Sequence, residues 1–112
     1  MEHNRFNAYT IMWLFVFFDL PVGTKLERKK AARFRKDLEK DGFVMMQFSV
    51  YTRHCASAES ADVHERRVRG FTPDHGQVSI LRITDKQYGG IINIWGAIER
   101  PMADKPMQLE LF

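Results

Sequence analysis

Residues 11–20 read Ile-Met-Trp-Leu-Phe-Val-Phe-Phe-Asp-Leu (IMWLFVFFDL), an apolar run whose one charge, Asp19, stands near its end. β-Branched and aromatic residues with almost no polar interruption predict a strand apolar on both faces. Such a strand belongs in the middle of a sheet covered on at least one side. Pro21 and Gly23 follow as loop residues. The run is far too short to span a bilayer, which takes about 20 residues.

Beyond the loop, Thr24 and Glu27 form the Ser/Thr-x-x-Glu pattern in which each side chain satisfies a free amide at a helix start. A helix is expected from Lys25 to about Asp41, closed by Gly42 in the left-handed conformation, with Leu26, Ala31, Phe34 and Leu38 toward the sheet. The segment FVMMQFSVYTR (43–53) alternates as extended structure, either one long strand or two with a bend near Gln47. Residues 57–69 carry Ala61, His64 or Glu65, and Val68 at helical spacing. Residues 72–76 read as a loop, QVSILRIT (77–84) as a strand, Tyr88-Gly89-Gly90 as a hinge and IINIW (91–95) as a final strand.

The resulting order is β-α-β-β-α-β plus one strand. It predicts an α+β, ferredoxin-like domain with an antiparallel sheet and both helices on one face. The added strand after the glycine hinge has no slot in that unit and is expected to be exchanged between the chains of a homodimer. Residues 1–10 read as a flexible lead-in and 97–112 as a C-terminal tail broken by Pro101 and Pro106. The terminal QLELF alternates, and is expected either to dock as an edge strand on a partner protein or to fray as chain ends usually do.

The 112 residues fit a single domain. No secretory signal precedes the first apolar run, and the one cysteine, Cys55, excludes an internal disulfide; a cytoplasmic protein without membrane attachment is expected. Lys and Arg number 17 against 14 Asp and Glu, a net charge of +3. So mild an excess leaves the decision about nucleic acid to where the charges lie.

Their distribution is informative. Lys25, Lys29, Arg33, Lys36 and Lys40 recur at three- and four-residue spacing, which aligns them on one side of the first helix, opposite Phe34 and Leu38. Five like charges in a row oppose helix formation unless something compensates, as a phosphate backbone does by counterion release. A solvated face helped by Asp37 and Glu39 is the plainer reading. Arg53 is a further candidate contact, and Arg66, Arg67 and Arg69 form a second basic cluster. Asp19, at the end of the central strand, is either a functional carboxylate or a loop aspartate bonded to its own backbone. One carboxylate is a poor Mg²⁺ site; a twofold axis pairing two copies of Asp19 would make metal-assisted phosphodiester hydrolysis reasonable. His3, His54, His64 and His75 lack the spacing of a zinc site.

Three segments together resemble one known family. FVFFDLP (15–21), GFVMMQFSVYTR (42–53) and GQVSILRITDKQYGGIINIWG (76–96) are similar to the first strand, the Gln-x-Ser-Val-aromatic strand, and the last core strand with its hinge and dimer-crossing strand in the CRISPR-associated protein two family. The wording is nearest to versions from type II systems. The resemblance implies a ferredoxin-like homodimer with the two Asp19 carboxylates facing across the axis, as catalytic and Mg²⁺-binding residues. It implies metal-dependent endonuclease activity, on RNA or DNA, and a place in spacer acquisition as a scaffold for duplex DNA beside the CRISPR integrase. Where many members carry Tyr before the aspartate, this chain has Phe18, and the loop LPVGT (20–24) lacks the arginines of some nuclease-active members. Both departures bear on hydrolysis and leave scaffolding untouched. A DNA-binding subunit without catalysis and a stand-alone ferredoxin-like ribonuclease toxin are the competing functions.

Overall fold

The structure is a computed structural model and describes residues 11–101. The lead-in (1–10) and the QLELF end lie outside those residues.

Strand β1 (Met12–Asp19) sits where its composition requires, between two neighbours: the four-stranded sheet has the order β2-β3-β1-β4, with every pairing antiparallel. Helix α1 (Lys25–Lys40) follows, opened by the capping box in which Thr24 accepts from the Glu27 amide and Glu27 from the Thr24 amide. Gly42, at φ +90°, turns the chain into β2 (Val44–Gln47). Strand β3 (Val50–Cys55) returns beside β1, α2 (Ala58–Phe71) crosses back, and β4 (Gln77–Thr84) takes the other side of β1. This is the expected ferredoxin-like arrangement. Leu14, Val16 and Phe18 alternate onto one face of β1, where they meet Phe34 and Leu38 of α1 and Ala61 and Val68 of α2, so both helices cover the same face.

Of the two readings of residues 43–53, the two-strand one holds: the strands are joined by Phe48-Ser49, with Ser49 taking φ +66° although no glycine marks the turn. Other local expectations change. Leu26 is 61% exposed rather than facing the sheet; at 100° per residue it stands about 140° around the helix from Ala31. The hinge is a short helix, α3 (Asp85–Gly89), opened by its own Thr84/Gln87 capping box. It is held by Trp13, whose indole donates to Asp85 (2.7 Å) and stacks on Tyr88 with centroids 3.6 Å apart.

The last strand does not stand alone. β5 (Asn93–Trp95) pairs with β6 (Ile98–Arg100), a strand inside the stretch read as irregular tail. Gly96 and Ala97 both have positive φ, the turn geometry whose twist suits a two-residue hairpin.

The helices are fastened at the far end of the sheet. Asp41, at the C-terminus of α1, accepts from His64 Nδ1 (2.7 Å) and Arg67 (2.9 Å) of α2. Arg82 of β4 reaches Asp62 and Glu65 of α2, each at 2.9 Å. No helix among the described residues is long and apolar enough to cross a membrane.

Candidate nucleic-acid interface and strand-end carboxylate

Asp19 is the last residue of β1 and pairs with Gln77, the first of β4. The incoming loop reaches β4 through Gly76 at φ +92°. A Cβ there would lie 2.7 Å from the Asp19 carbonyl oxygen, 2.9 Å from Leu20 Cδ2 and 3.0 Å from Pro21 Cδ. The loop therefore packs directly on the backbone that carries the carboxylate, which a side chain would prevent. Gly76 is a positioning residue that sequence reading passed over; its signal was a glycine immediately before a strand. On the other side, the Phe18 amide donates to the Ser49 carbonyl (3.1 Å), tying the β2–β3 turn to the same strand end. The Asp19 side chain is exposed and makes no hydrogen bond or ion pair among the described residues, so it is not a loop aspartate bonded to its own backbone.

One carboxylate per chain fits a hydrated Mg²⁺ that also takes waters and a phosphate, and does not fit an all-protein cage. Among the described residues no three acidic, histidine or cysteine side chains converge on a common point.

The basic stripe forms as spaced. Lys25, Lys29, Arg33, Lys36 and Lys40 are all exposed, on the side of α1 away from Ala31, Phe34 and Leu38. Only Arg33 has an acidic neighbour, a loose 3.9 Å pair with Asp37. Glu39 is directed instead to the Tyr51 hydroxyl, which donates to it at 3.4 Å; burial, then the Glu39 charge, pushes the Tyr51 pKa up. The side chains named as neutralising partners thus leave the four lysines without ion pairs among the described residues.

The other candidate cations have different work. Arg53 faces Leu14 in the register, five residues from Asp19 along β1, or about 17 Å at the strand rise. Its guanidinium donates to the carbonyls of Asp41 (2.8 Å) and His54, satisfying the end of α1 rather than facing outward. Arg67 is bound to Asp41 and Arg69 to Glu65, so the second basic cluster is largely neutralised. Cys55 is buried, and burial pushes its thiol pKa up, away from nucleophilic use.

The ferredoxin-like sheet with both helices on one face is the fold the resemblance implied, and comparison with known proteins identifies the family. A sequence model of the family described as "CRISPR associated protein Cas2" matches residues 12–91. This chain belongs to the Cas2 family. It is 50% identical to the "CRISPR-associated endoribonuclease Cas2" of Flavobacterium psychrophilum, over 99% of this chain and 96% of that one. The protein of the same description from Parvibaculum lavamentivorans is 52% identical over 90% of this chain and all of its own length. That from Paracidovorax avenae is 46% identical over 94% and 97%. The match to the Cas2 model ends at Ile91, just before the β5–β6 hairpin, whereas the alignment with the Flavobacterium relative extends over nearly the whole chain.

Proposed function

We propose that this chain is the nucleic-acid-holding subunit of CRISPR spacer acquisition, a homodimer that binds protospacer duplex DNA beside the CRISPR integrase. The observation that carries the reading is the stripe on α1: five exposed cations on one face, four without an acidic partner among the described residues. Such a face is costly in isolation and is stabilised by a phosphate backbone.

Dimerisation is supported by apolar surface that one chain leaves uncovered. On the sheet face away from both helices, Tyr88 of α3 lies against Trp13 and Phe15, but Phe17 and Leu81 stay 38% and 47% exposed. The β5–β6 hairpin exposes Ile92, Ile94, Trp95 and Ile98, and an isolated two-stranded hairpin is marginal in water. A second copy offers both features a partner, and a twofold axis through the open sheet face places two Asp19 side chains on one assembly.

A second reading, endonuclease activity on RNA or DNA, is favoured by the unpartnered Asp19 carboxylate and by the endoribonuclease description of the relatives. The paired Asp19 side chains would hold Mg²⁺ against a phosphate, where the ion supplies charge neutralisation and an activated water. The chain's own part is to fix each carboxylate through the Gly76 contact and the Phe18–Ser49 bond, and Phe18 contributes no hydroxyl.

Light scattering of the purified chain at micromolar concentration should give twice 13.2 kDa, and a fluorescently labelled duplex should bind that dimer with affinity that falls as salt rises. A monomer, or a dimer that ignores duplex DNA, refutes the proposal. Incubation with labelled RNA and DNA, in Mg²⁺ and in chelator, separates scaffold from nuclease.

A further inference from the structure

The β2–β3 turn carries an aromatic ring that the core does not use. Phe48 is 77% exposed, and its ring lies over the guanidinium of Arg35, with the Arg35 Cζ 4.7 Å from the ring centroid. The same guanidinium is 5.5 Å from the buried ring of Phe18, so it is flanked by two aromatic rings. It makes no ion pair or hydrogen bond among the described residues, and its Nε is buried without an acceptor. A buried donor without a partner is destabilising, and each such group calls for an explanation. The ring supplies a cation–π contact but no hydrogen-bond acceptor.

The position is as telling as the chemistry. Because Phe48 meets Arg35 of α1, it lies toward the helix side of the sheet, away from the open face assigned to the second copy. The Phe18–Ser49 hydrogen bond sets this turn one residue from Asp19.

We infer that Phe48 and Arg35 form a stacking site for single-stranded nucleic acid, in which an unpaired base lies on the ring of Phe48 and an adjoining phosphate takes the terminal Nη donors of Arg35. Aromatic faces accept any base, and the guanidinium supplies the charge that a strand's backbone seeks. A strand held there runs beside the end of β1, where Asp19 is. The single-stranded segment is a substrate strand or the splayed end of a duplex held on α1. The inference thus deepens the nucleic-acid reading above and rests on it.

The test uses the full-length protein and an oligonucleotide carrying one 5-iodouracil. Irradiation followed by peptide mass spectrometry should place the crosslink on Phe48. Phe48→Ala, at an exposed position, should fold normally and weaken single-strand binding by about 5- to 150-fold, as expected for loss of one stacked base. Phe48→Tyr should bind as the wild type does, and Arg35→Lys should bind more weakly despite keeping its charge. Duplex affinity should be unchanged in Phe48→Ala. Crosslinking elsewhere, or single-strand binding indifferent to Phe48→Ala while duplex binding is intact, overturns this site alone. A wild-type protein that binds neither form of nucleic acid overturns the proposed function with it.

Discussion

Replacing Lys29, Arg33 and Lys36 together with Gln should flatten the salt dependence of duplex binding without harming the fold. All three side chains are exposed on the outer face of α1. Each phosphate contact contributes about 0.9 to the slope of log K against log salt, so three contacts account for about 2.7 per chain, and about 5.4 if both chains of a dimer engage. Between 50 and 200 mM salt, a slope change of 2.7 corresponds to about 40-fold in affinity. The same substitution removes every adjacent like-charge pair of the stripe: 25/29, 29/33, 33/36 and 36/40. Each such pair costs a helix about 0.2–0.5 kcal/mol, against which stands only the loose Arg33–Asp37 contact. The variant should therefore melt at or slightly above the wild-type temperature while binding more weakly at low salt. Fluorescence anisotropy over a salt series, with a thermal melt on the same samples, reads both quantities. A slope unchanged within about half a unit, with the melt intact, would show that the stripe is merely solvated and that DNA lies elsewhere.

Asp19→Ala should abolish any Mg²⁺-dependent cleavage while leaving dimer mass and duplex affinity unchanged, because the exposed carboxylate packs against nothing in the core; cleavage that survives places the activity elsewhere. Gly76→Ala should destabilise the fold by about 1–2 kcal/mol from left-handed strain alone, and by more through the 2.7 Å approach to the Asp19 carbonyl. A urea midpoint equal to wild type would contradict the tight packing of that loop. Ile94→Glu, at a position 66% exposed in the single chain, should convert dimer to monomer in light scattering if a partner covers the hairpin. Hydrogen bonds from Arg69 and then Arg82 hold the Glu65 carboxylate below its ordinary pKa of 4.5. Because the folded-state pKa is the lower one, its stabilisation is present above the unfolded pKa and is lost as pH falls through the folded value. Denaturant midpoints of wild type and Glu65→Gln should accordingly differ at pH 7 and converge as pH falls through the folded value; a gap that stays constant with pH would sink that account.

What sequence alone determined about this protein is what depends on neighbours along the chain. Helix α1 was legible apart from Leu26, which is exposed, since its capping box, the buried Ala31, Phe34 and Leu38, its cationic stripe and the closing glycine all lie within one stretch and obey one periodicity. β1 as a central strand, and the α+β order, followed from the same kind of local pattern. Asp19 stood out because it interrupts an apolar run. The Thr84-x-x-Gln87 box that opens α3 was equally readable and was passed over beside the two glycines. The tertiary structure decided the matters that need a second segment. Arg53 and Arg67 look like any other surface cations until the end of α1 arrives with Asp41 to claim them. Phe48 continues a strand's alternation until antiparallel pairing of β2 with β3 forces the chain to reverse there, leaving its ring outside on Arg35. Gly76 acquires its meaning only when the α2–β4 loop is laid against the carbonyl of Asp19. In each case the deciding contact joins residues far apart in the chain, and periodicity, which records only which face a side chain shares with its near neighbours, carries no information about what that face will meet.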